Sequence, residues 1–96
     1  MYLLNVSFSQ NPAQVEPQKE AHGAWVKKYF DEGIFLLAGP KKSGLGGAIL
    51  VKSMDKSQLM KILSEDSYVI ADVADYQIVD FDAKLSAKGL ESLINS

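Results

Sequence analysis

The sequence predicts an α+β domain whose elements run β-α-β-β-α-β. Three observations carry that expectation. Four short stretches have the apolar content of strands, two stretches between them repeat apolar residues at helical spacing, and turn residues mark the joints. This is the split β-α-β, or ferredoxin-like, arrangement: a four-stranded antiparallel sheet with both helices on one face. The 96 residues read as a single domain, with its core over about 1–82 and a C-terminal extension over 83–96. A chain of this length holds one hydrophobic core.

Residues 1–8 form the first strand, with Tyr2, Leu4, Val6 and Phe8 facing one way and Leu3, Asn5 and Ser7 the other. Ser9 to Glu16 is polar, contains Pro12 and reads as a loop. Pro17 to Gly33 is the first helix. Pro17 suits its first turn, where a missing N–H costs nothing, and Gly33 fits just past its end. Trp25, Val26, Tyr29 and Phe30 form its inward stripe, and His22 falls on the same stripe.

Ile34 to Ala38 is the second strand, ended by Gly39 and Pro40. Residues 40–47, PKKSGLGG, make a glycine-containing hairpin loop over a pocket mouth, with Lys41 and Lys42 solvated. Ala48 to Lys52 is the third strand. Asp55 to Glu65 is the second helix, with Asp55 and Gln58 as a partial capping box and Leu59, Ile62 and Leu63 inside. Asp66 to Ala74 is a tight turn plus about one helical turn, with Asp66 as N-cap. Tyr76 to Asp82 is the fourth strand. Ser86 to Ile94 reads as a short terminal helix that Gly89 weakens.

Strands two and three are apolar on both faces: Phe35, Leu36 and Leu37, then Ile49, Leu50 and Val51. Helices on one side leave half of these groups uncovered. The expected cover is a second copy, sheet against sheet, in a homodimer. The competing arrangement lays the terminal segment across the sheet.

Composition narrows the function. Net charge is −2 and no basic patch stands out, which argues against nucleic acid as a partner. All ten basic residues are Lys, so the two-point fork of Arg is missing, and an anion must be held by Lys, backbone N–H groups or His22. The absence of cysteine excludes disulfides, thiolate metal sites and thiol catalysis within this chain. A single His argues against a transition-metal site. No stretch approaches the ~20 apolar residues of a membrane span, and MYLLNVSFSQ lacks the features of a secretion signal, so the expectation is a cytoplasmic protein. The loop 41–47 leads into a strand rather than a helix N-terminus, which argues against nucleotide binding. The acidic residues Asp72, Asp75, Asp80 and Asp82 lack calcium-loop spacing.

His22 belongs to the one residue type that ordinarily titrates near neutrality. It is either a core histidine bonded to backbone or the start of a site. Asp66 leaves the second helix beside the first, so its carboxylate can reach the imidazole, fix its tautomer and support general acid–base chemistry. Asp66 can also cap the turn that follows, and a carboxylate has two oxygens for the two roles.

His22 in the first helix, then Gly33, LLAGP (Leu36 to Pro40), the hairpin and EDSYVIADVADYQIVDF (Glu65 to Phe81) together resemble the YCII-related (YciI-like) family over roughly residues 1–82. The resemblance implies a ferredoxin-like domain that pairs into a dimeric α+β barrel. It implies a His–Asp active-site pair, carried over to His22 and Asp66, and lyase or isomerase chemistry on a small molecule with no metal or organic cofactor. Lys19, Gly39, Pro40 and Ser43 are the candidate substrate-binding positions beside that pair. Two positions depart from the family pattern. Ser67 stands where Pro usually follows the Asp, which loosens the turn slightly, and Lys19 stands where Arg often precedes the His. A non-catalytic dimeric binding module, or another dimeric-barrel family, stays open at this point.

Overall fold

Alternation in the first strand builds the centre of the sheet. In the computed structural model, which describes residues 1–95, β1 (Tyr2–Phe8) pairs antiparallel with β3 (Gly46–Val51) on one side and β4 (Ala74–Asp80) on the other. β2 (Phe35–Pro40) pairs with the outer edge of β3, so the order is β2-β3-β1-β4. Tyr2 lies opposite Val51 and Asp80, Leu4 opposite Ile49 and Ile78, and Val6 opposite Gly47 and Tyr76. These rows face the helices. Leu3, Leu50, Leu37 and Val79 are one row on the opposite face, spanning all four strands.

The helical layer consists of α1 (Pro12–Val15), a 3₁₀ turn (Glu16–Gln18), α2 (Lys19–Asp31), α3 (Lys56–Leu63) and α4 (Ser67–Ile70). Trp25 and Tyr29 of α2 meet Leu59, Ile62 and Leu63 of α3 over Leu4, Phe35, Ile49 and Val51 of the sheet. Leu4, Val51 and Leu59 are completely buried, each worth about 1.5–3 kcal/mol over exposure. Trp25 Nε1 donates to the Ile62 carbonyl at 2.9 Å, so the buried indole loses no bond. The Tyr29 hydroxyl donates to the Glu65 carboxylate and ties α2 to the end of α3.

Several elements differ from the sequence reading. Ser9 to Glu16 is not all loop: Asn11 Oδ1 accepts from the Gln14 amide at 3.2 Å and caps α1, which drives Val15 into a second core patch with Val6, Tyr68 and Val73. The first helix therefore begins as separate short turns, and its regular part starts at Lys19. β2 runs through Gly39 to Pro40, because an edge strand tolerates a residue without an N–H. Asp55 stands at the N-cap of α3, but its side chain makes no capping bond. Ser86 to Ile94 is not a helix. Gly89 adopts a left-handed φ of 94°, and only a 3₁₀ turn over Glu91–Asn95 follows it.

Among the described residues the open face of the sheet is left partly exposed. Leu37, Val79 and Leu3 are 63%, 49% and 40% exposed. In the segment after β4, Leu85 and Leu90 are 93% and 51% exposed.

Candidate functional site

Asp66 is where the chain turns from α3 into α4. Its extended backbone places it at the N-cap, and Oδ1 accepts from the Tyr68 amide at 3.2 Å, satisfying one of the free donors of α4. The same oxygen lies 2.7 Å from His22 Nδ1. Oδ2 takes a third bond, from the Tyr76 hydroxyl of β4 at 2.5 Å. The carboxyl group is fully buried. Three elements thus converge on one residue: α2 brings the imidazole, α4 its first turn, and β4 the phenol.

The proton positions follow from the donors. Burial, and next the bond to Asp66, push the Tyr76 phenol well above the usual tyrosine range, so it keeps its proton and donates. The Tyr68 amide can only donate. Asp66 is an acceptor at both oxygens, which makes Nδ1 the donating ring nitrogen and Nε2 the bare one. No hydrogen bond reaches Nε2 among the described residues, and no buried side-chain nitrogen or oxygen there lacks a partner, so Nε2 meets accessible space. The ring is further held by stacking on Tyr68, with centroids 3.9 Å apart and planes 9° apart.

His22 forms part of the wall of a cavity of about 550 Å³. Lys19, Gly23, Val26 and Phe30 of α2 line one side of it. Gly39 and Pro40 of β2, Gly44 of the hairpin, and Ala48 and Ile49 of β3 line the other. The single inward stripe expected of the helix is therefore two neighbouring stripes. Trp25 and Tyr29 enter the core, and Val26 and Phe30 turn to the cavity.

Of the expected binding positions, Lys19, Gly39 and Pro40 line the cavity and Ser43 does not; its hydroxyl accepts from the Leu45 amide instead. Gly44 takes that place. Lys41 is not solvated as expected: it is half-buried, and its Nζ donates to Ser7 Oγ at 2.9 Å. Lys19 pairs with Glu16 at 3.0 Å on the surface. Ser67 does more than loosen its turn. Its hydroxyl donates to the Gln18 carbonyl at 2.8 Å, a tether to the start of α2 that Pro could not make.

Tyr76 was not visible as a site residue in the sequence, where it reads only as the start of a strand. The one signal available is alternation, which puts Tyr76 and Ile78 on the helix-facing side. Among the described residues no group of three or more His, Cys, Asp or Glu is placed to hold a metal. No helix among them is long and apolar enough to cross a membrane.

A four-stranded antiparallel sheet with helices on one face makes this an α+β protein, and an imidazole–carboxylate pair lies in the wall of its cavity. The YCII-related domain matches residues 1–82, and the chain belongs to that family. Among solved structures it is similar to 5-chloro-2-hydroxyhydroquinone dehydrochlorinase from Burkholderia phenoliruptrix, in complex with 2,5-dihydroxybenzoquinone. The TM-score is 0.63 and the identity 13%, covering 84% of this chain and 93% of that one. At that identity the likeness is one of fold. No curated protein matches the chain.

Proposed function

We propose that the protein is a small-molecule enzyme of lyase or isomerase type, with His22 as its general acid–base. The observation that carries this reading is the 2.7 Å contact between His22 Nδ1 and the buried Asp66 in the wall of the cavity. A carboxylate on Nδ1 fixes the tautomer and steadies the imidazolium that forms when Nε2 takes a proton. In an elimination, Nε2 takes the proton from a C–H bond, that bond's electrons form the new double bond, and the leaving group departs with its own pair. Such chemistry moves protons and no net electrons, so it needs no redox cofactor. The dehydrochlorinase of similar fold supports this reaction class for a cyclic, polar substrate. Lys19, Gly39 and Pro40 are the substrate-contacting positions in this reading.

The working form in this reading is a homodimer. Leu3, Leu37, Leu50 and Val79 make a continuous apolar row on the uncovered face, and a second copy laid sheet to sheet covers both rows at once.

The test combines a screen with one substitution. Chlorinated hydroxyquinols and small cyclic ketones are screened for chloride release or for deuterium uptake from solvent. His22→Ala is expected to abolish any turnover found, with the circular dichroism spectrum unchanged. Undiminished turnover in that variant overturns the assignment. Binding without proton exchange in the wild type means a ligand-binding module instead.

A further inference from the structure

Gly23 has no explanation in the backbone or in the packing. It is the fifth residue of α2, inside the helix, where glycine is the least favoured ordinary residue after proline. Its φ is not among the positive ones, so no left-handed turn demands it. A Cβ built there meets nothing within 4 Å, so no close approach of chain demands it either. What it does is line the cavity, next in sequence to His22.

Gly23 belongs to a stripe of α2 residues that lines the cavity. Lys19, Gly23, Val26 and Phe30 follow one another at helical spacing along the cavity side of α2. The order is a cation that also pairs with Glu16, an empty position, an aliphatic group and an aromatic ring. From Lys19 to Phe30 the helix rises about 16 Å, longer than a single six-membered ring. The cavity's 550 Å³ is several times the ~150 Å³ that suffices for benzene.

We propose that Gly23 is a specificity-determining residue. It leaves room beside His22 for an anionic ligand whose apolar body exceeds one ring, with the charge toward Lys19 and the body along Val26 and Phe30. This deepens the reading of the cavity as a substrate site and rests on it.

The test uses two hydroxyquinone probes, 2,5-dihydroxybenzoquinone with one ring and 2-hydroxy-1,4-naphthoquinone with two. Titration calorimetry is run on wild type, Gly23→Ala and Gly23→Val, with thermal melts alongside. Wild type is expected to bind the two-ring probe at least tenfold more tightly than the one-ring probe. Gly23→Val is expected to lose that preference, with one-ring binding held within about threefold. Gly23→Ala is expected to fall between them and to melt a few degrees higher than wild type, which separates loss of space from loss of fold. Equal binding of the two-ring probe by wild type and Gly23→Val overturns the proposal, as does a wild type without the preference; one-ring binding then leaves the site reading standing. A wild type that binds neither probe overturns this ligand class, while the proton-transfer role of His22 is still judged by its own substitution.

Discussion

At the scale of single residues, Asp66 accepts three hydrogen bonds from three different elements, and each is separable. Tyr76→Phe removes only the donor to Oδ2, leaving a buried oxygen without a partner. The expected loss is about 1–3 kcal/mol in urea denaturation. Gly23→Ala works the other way, through helix propensity, and is expected to add about 0.5–1 kcal/mol to stability. The proton placement has its own check: ¹⁵N spectra should show hydrogen on His22 Nδ1 and none on Nε2 in the neutral ring, and Asp66→Asn should remove that preference. His22 and Asp66 were legible as a pair because the topology sets their two helices side by side. Tyr76 was not, because its contact depends on the register of β4 against β1, which alternation orients but does not position. Gly23 was hidden for a simpler reason: a missing side chain leaves no periodic signal.

At the scale of elements, the hairpin between β2 and β3 depends on close approach. A Cβ on Gly46 would stand 1.9 Å from the Val6 carbonyl oxygen, and its φ is 149°. Gly46→Ala therefore forces β3 away from β1, and strain with overpacking sets an expected loss of about 2 kcal/mol or more, read by thermal melting. Gly44→Ala meets open space but keeps a φ of 77°, so only the smaller, conformational part of that loss applies. The strands and the two long helices were readable from periodicity, and α4 from the capping geometry of Asp66. The short helix α1 was not. Its single turn has too few residues to show a period, and the Asn11 cap sits in a stretch whose polarity and prolines read as loop. The terminal helix failed because Gly89 outweighs the apolar residues around it.

At the scale of the whole molecule, two consequences can be measured. The uncovered apolar row predicts self-association: light scattering should give twice 10.5 kDa, and Leu50→Asp should shift the mass toward a single chain. All four tyrosines are held above their ordinary titration range, chiefly by burial. The unfolded chain therefore gives up its phenolic protons first, near pH 10, while the folded chain retains them. Stability from this source is complete below that pH and falls as pH rises beyond it. Alkaline titration at 295 nm should show phenolate appearing together with loss of structure. The shared use of Asp66 ties the proposed chemistry to a backbone event. When the first turn of α4 opens, the Tyr68 amide loses its acceptor, and the support of the imidazole is disturbed in the same movement. Deuterium exchange at that one amide is thus a gauge of how often the proposed acid–base pair comes apart, and it needs no substrate.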